Sequence, residues 1–119
     1  MQSKNTEMLL KLINSALTEK KGENLVNINF GKIENTITKY FVICTANSKI
    51  HGNTLAAFVE DFVRENQKEK PWHKEGFENS EWILLDYVDV VVHIFQEESR
   101  QFYKIEQLWA DAETIKIEK

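Results

Sequence analysis

The chain has 119 residues, enough for one domain with its own core, and its 42% hydrophobic and 29% charged residues exclude a disordered chain. One cysteine, Cys44, excludes an internal disulfide or a multi-cysteine zinc site, and no apolar run nears the roughly 18 residues of a membrane span. Net charge is −4 but uneven: residues 1–80 carry 11 Lys/Arg against 10 Asp/Glu, whereas residues 81–119 carry 4 against 9, the wrong sign for phosphate binding there.

That acidic third suits either a basic protein partner or a solvated surface. The N-terminus lacks the apolar centre and cleavage site of a signal peptide, so a reducing, cytoplasmic setting is expected. In chain order, Met8, Leu9, Leu12, Ile13, Ala16 and Leu17 recur at helical spacing, and Gly22 is placed to end that helix. Asn24 to Phe30 alternates, with Val26, Ile28 and Phe30 on a buried face and Asn27 and Asn29 on the other, which predicts a strand. Ile37 to Thr45 is apolar enough for a central strand, and Cys44 within it reads as a buried structural thiol.

Asn47 or Ser48 can cap the following helix, whose stripe is Leu55, Phe58, Val59, Phe62 and Val63. That helix ends before Pro71, the one proline, and its place between strand patterns predicts a right-handed parallel crossover. Residues 72–80 read as a polar connector with a short extra strand around Gly76 and Phe77.

The stretch from Glu81 to Trp109 is the densest in information. Trp82 to Tyr87 and Val90 to Phe95 predict two strands, with Trp82 opposite Phe95 and Tyr87 opposite Val90. One face then holds Ile83, Leu85, Tyr87, Val90, Val92 and Ile94 and belongs to the core. The other holds Trp82, Leu84, Asp86, Val91, His93 and Phe95. A mixed aromatic and charged face fits a protein contact; it equally fits a face covered by a helix that satisfies Asp86 and His93. A two-residue turn needs positive φ, which β-branched Val88 resists, so a longer or bulged loop is expected. Phe102, Ile105, Leu108 and Trp109 mark a last helix, with Tyr103 off that stripe. Residues 111–119 form a charged tail to a domain of residues 1–110.

Catalytic patterns are missing from the sequence. Asp86, Asp89 and His93 are the candidates, yet they form neither HExxH nor a paired carboxylate signature, and no Ser or Cys is coupled to a base. No Walker motif or GxGxxG follows the second strand. No catalytic residue, metal ligand or cofactor is expected.

TKYFVICTANS, then EWILLDYVDVVVHIFQEESRQFYKIEQLW, resembles the ribosomal silencing factor family, RsfS or Iojap, from the first helix to about Trp109. The specific parts are W-x-L-x-D-x-x-D-V-x-V-H and E-x-R-x-F/Y-Y-x-x-E-x-L-W. The resemblance implies an α/β fold, a single-domain mixed sheet flanked by helices, with nucleotidyltransferase-like topology but no catalytic signature. It implies a non-enzymatic repressor of translation. Its partner would be the large ribosomal subunit, at ribosomal protein fourteen of that subunit, where it blocks small-subunit joining. Carried over residue by residue, the contact region is Trp82, Asp86, Asp89, His93, Phe95, Arg100 and Tyr103. The chain departs from the family pattern at Lys39, at Ala46 and at Val88-Asp89, where an acidic residue, Gly and Gly-Asp are usual. An exposed aromatic face also allows a weak homodimer of the free protein. No membrane and no sequence-specific nucleic acid is implied. The alternatives are a nucleotidyltransferase-fold enzyme and a small RNA-binding module, the latter drawing on Lys20, Lys21, Lys32, Lys39 and Lys49.

Overall fold

The amphipathic stripes become helices that cover one face of a sheet. The computed structural model describes residues 5–34, 36 and 38–117. Helix α1, Thr6–Glu19, buries Leu9, Ile13, Ala16 and Leu17 and leaves Met8 exposed at one end of the stripe. Its exit differs from expectation: Lys21, not Gly22, takes the left-handed conformation at φ 66. Gly22 serves close packing instead, because a Cβ there would lie 3.1 Å from the Leu17 carbonyl oxygen and 3.3 Å from Cys44 Sγ.

Strand β1, Glu23–Asn29, is covered on both faces. Val26 and Ile28 face one core as predicted. Asn27, expected on the open face, is buried against α1, where it and Asn14 exchange amide hydrogen bonds of 2.8 and 3.0 Å. A buried amide pair satisfied in this way is tolerated in an otherwise apolar layer. Strand β2, Tyr40–Ala46, carries Val42 and Cys44 into the α1 side and Phe41 and Ile43 into the other. Ile37, the expected start of this strand, lies outside the described residues.

Ser48 caps α2, Lys49–Gln67, its Oγ accepting from the His51 amide at 2.9 Å. The helix closes at left-handed Lys68, ahead of Pro71. A short strand β3, His73–Glu75, lies just before Gly76 rather than around it. Gly76 turns the chain at φ 93, and a Cβ there would run into the Trp82 carbonyl oxygen.

Strands β4, Trp82–Asp86, and β5, Val90–Gln96, pair antiparallel with Trp82 opposite Phe95 and Asp86 opposite Val91, the predicted register. The loop is neither longer nor bulged. Tyr87 N donates to Val90 O at 2.8 Å, and Val88 accepts the positive φ, at 76°. The expected single last helix is two pieces, α3, Glu97–Tyr103, and α4, Ile105–Leu108, separated by left-handed Lys104. Residues of the predicted tail add a strand, β6, Glu113–Lys116.

Among the described residues the strands form one six-stranded sheet in the order β3-β4-β5-β2-β1-β6. Only β2 and β5 run parallel; the other pairings are antiparallel. The parallel partner of β2 is thus the second strand of the hairpin. The strand that first follows α2 and the connector, β4, lies outside β5 and runs the other way. The domain is therefore a mixed α/β sheet flanked by helices. Its main core lies under α1 and α2 and takes Ile83, Leu85, Tyr87, Val90, Val92 and Ile94, the face assigned to the core from alternation. A smaller core on the opposite face packs Ile28, Phe30, Ile43, Phe95 and Ile105. No helix among the described residues is long and apolar enough to cross a membrane.

Candidate functional site

The second face of the sheet is only partly roofed, and that incomplete cover makes the site. α3 and α4 are short, so they close over Phe95, which is fully buried, and stop there. Toward the hairpin turn, Leu84, Asp86 and Val91 stay half-buried. They floor an apolar groove of about 690 Å³, with Phe41, Trp72 and Trp109 along its sides. Trp72 is 77% exposed although its backbone N donates to Asp86 O at 2.7 Å. An exposed indole beside a carboxylate is an uncommon way to end a sheet unless something covers it.

The seven residues carried over from sequence separate by depth. Trp82, Asp86 and Tyr103 reach the surface: Trp82 and Asp86 are half-buried and Tyr103 is 47% exposed, as its place off the helical stripe implies. Asp86 Oδ1 accepts from the Val88 amide at 2.8 Å, so the carboxylate also braces the turn. Asp89 belongs to the opposite side of the sheet, where its Oδ2 accepts from Thr6 Oγ1 of α1 at 2.9 Å. Asp86 and Asp89 therefore do not converge.

His93, Phe95 and Arg100 lie beneath the surface. Arg100 is bidentate to Glu106 at 3.0 and 3.0 Å and donates to Asn24 O and Thr45 Oγ1 at 2.8 and 2.9 Å. A polar cleft of about 810 Å³ opens beside it, but these bonds engage four of the five guanidinium donors inside the chain. His93 Nδ1 accepts from Trp82 Nε1 at 3.0 Å. Burial pushes its pKa down to about 3, so the ring is neutral. Burial likewise pushes the Cys44 thiol up to about 12, in line with a structural rather than nucleophilic cysteine.

Aromatic rings link these positions into one layer. Phe102 meets Tyr103 at 5.0 Å, Tyr103 meets Trp82 at 4.7 Å, and Trp82 stacks on Phe95 at 4.9 Å. Phe41 stands edge-on to His93 at 4.4 Å and to Phe30 at 4.9 Å. Sequence reading missed four contributors to this surface. Trp72 falls in what reads as a polar connector, where a lone indole is the available signal. Phe41 was hidden in a run that alternates into both cores. Phe102 and Leu108 fall on the helical stripe but are 77% and 74% exposed, because the helix breaks at Lys104 and the two do not share one continuous face. Such an arrangement suits recognition of a protein surface, with aromatic anchors beside one carboxylate.

The family model described as "Ribosomal silencing factor during starvation" matches residues 3–119. A ribosomal silencing factor RsfS of Halalkalibacterium halodurans is 36% identical over 110 residues, 92% of this chain and 92% of the relative. The protein of that name from Bacillus subtilis is 34% identical over 110 residues, 91% and 90% of the two chains. A crystal structure of a Chromobacterium violaceum protein superposes with a TM-score of 0.81 at 30% identity, covering 87% of this chain and 85% of that one.

Proposed function

The chain belongs to the RsfS family of ribosomal silencing factors, and from that premise we propose that it binds the large ribosomal subunit and silences it by occlusion. The partner in this reading is ribosomal protein fourteen of that subunit, a basic protein at the intersubunit face. A domain seated there keeps the small subunit from joining and lowers translation in the cytoplasm. We take the topology, with the resemblance, as nucleotidyltransferase-like without its catalytic signature, so the proposal is of a regulator and not an enzyme.

One observation carries the reading: aromatic side chains left uncovered along β4 beside a carboxylate. Trp82 opens β4 with Tyr103 against it, and Trp72 lies by Asp86 at the other end of the strand; all but Trp72 fall within residues 81–119, whose net charge is −5. Acidic and aromatic residues together complement a basic protein surface, the charge steering encounter and the rings supplying contact area. In this reading Trp82, Asp86 and Tyr103 touch the partner. His93, Phe95 and Arg100 hold them from below, and Asp89 fastens the turn to α1. In the free protein the same rings self-associate weakly.

Co-sedimentation with purified large subunits tests the proposal. Wild-type protein is expected to pellet with them at moderate salt and to inhibit subunit joining. Asp86→Lys and Tyr103→Ala are each expected to weaken binding about ten-fold or more, with a melting temperature close to wild type. Protein that stays in the supernatant, or variants that bind undiminished, would sink it.

A further inference from the structure

His93 is buried at 4% exposure, carries no surface of its own, and yet faces the docking side of the sheet. Its position explains what it can do. Trp82 pairs with Phe95 across the hairpin and His93 pairs with Leu84, so Trp82 and His93 are diagonal neighbours on one face. The indole N–H of Trp82 donates to His93 Nδ1 at 3.0 Å. Phe95 lies under the indole at 4.9 Å and an interplanar angle of 30°, and Tyr103 closes against it at 4.7 Å. Those rings restrain the indole by shape, but the hydrogen bond is the one directional contact that selects a single orientation of its plane. His93 is in turn fixed by Phe41, whose ring stands 4.4 Å away at 60°, and by strand pairing to β2 on one side and β4 on the other.

We propose that His93 is a positioning residue, which holds the Trp82 indole in its binding orientation by accepting the indole N–H. This rests on the docking role proposed above. The bond requires a neutral imidazole, because an imidazolium donates from both nitrogens and accepts at neither. Burial enforces that state. A surface tryptophan otherwise gives up rotamer freedom only when the partner arrives, and an indole already locked in place does not carry that entropy loss into binding. His93 therefore acts on affinity through Trp82 without meeting the partner.

A double-mutant cycle on the full chain, read by co-sedimentation with purified large subunits, tests the pair. Trp82→Phe keeps an aromatic ring, though a smaller one, and removes the donor; His93→Leu keeps the volume and removes the acceptor. Each is expected to weaken binding about ten-fold, and the double variant to lose little more than either single. His93→Asn, whose Oδ1 sits near the place of Nδ1, is expected to restore most of the affinity. In the free protein, the ring ¹⁵N spectrum of His93 is expected to show an unprotonated Nδ1 and a protonated Nε2, and the Trp82 indole proton to exchange faster in His93→Leu. Additive losses, full binding by His93→Leu, failure of His93→Asn to recover, or the opposite tautomer would overturn the positioning role while leaving the docking role standing. Absence of binding by the wild-type chain would remove both.

Discussion

Val88 holds a backbone conformation that its side chain opposes. At φ 76 a β-branched residue is strained by about 1–2 kcal/mol, and its side chain, 47% exposed, recovers little by burial. The turn forms anyway because its neighbours over-determine it. Asp86 Oδ1 receives the Val88 N–H, Asp89 O receives the amides of Lys39 and Tyr40 at 2.9 and 3.0 Å, and the strands on either side are locked in register. Val88→Gly relieves the strain and gives back part of it as unfolded-chain entropy. A net gain on the order of 1 kcal/mol is expected, measured as a higher urea midpoint at unchanged slope. A loss of stability would mean that the valine side chain contributes more than its exposure suggests. Alternation alone identified the core face of this hairpin correctly. It could not say that the turn would yield before the register did, because that is a comparison between one local strain and the summed pairing of two strands.

At the scale of elements, the break between α3 and α4 decides what is presented to solvent. Phe102, Ile105, Leu108 and Trp109 share a helical spacing, yet only Ile105 is deeply buried. Lys104 takes φ 48 and ends the first piece, with its N–H on Arg100 O at 3.0 Å. No glycine or proline announces the break. Arg100 spans it: its side chain, anchored on β1 and β2 through Asn24 O and Thr45 Oγ1, clamps Glu106 on the second piece. Arg100→Ala leaves those acceptors unsatisfied, in part shielded from water. It is expected to destabilise the fold by about 2 to 3 kcal/mol, seen as a lower denaturation midpoint. A loss below about 0.5 kcal/mol would show that water satisfies the acceptors as well as the guanidinium does. The family resemblance implied a contact role for Arg100; its depth makes it the fastening of α3 and α4 to the sheet.

Over the whole molecule, a single sheet separates a main core from a smaller one, and His93 stands in the wall of the smaller. Its titration is therefore read by the stability of the entire domain. Unfolded, it takes up a proton near its ordinary value of 6.5; folded, burial holds it unprotonated down to about 3. Between those values the unfolded chain binds more protons, so stability falls as pH drops, by up to about 1.4 kcal/mol per pH unit. Above 6.5 the contribution is constant. Urea midpoints at several pH values between about 7 and 5, above most carboxylate titration, are expected to decline in wild type and much less in His93→Asn. Parallel declines in the two proteins would assign the effect elsewhere.

Composition, periodicity and one dense motif determined the α/β class, most of the helices and strands, the hairpin register and the family. These rest on local spacing, which survives in a linear string. Tertiary structure alone decided which side chains of the outward face reach water. Two short helix pieces cover Phe95 and stop before Leu84, and a strand pairing carries Trp72 out beside Asp86. Depth depends on how far a neighbouring element extends, and the two-residue period of a strand contains no term for that.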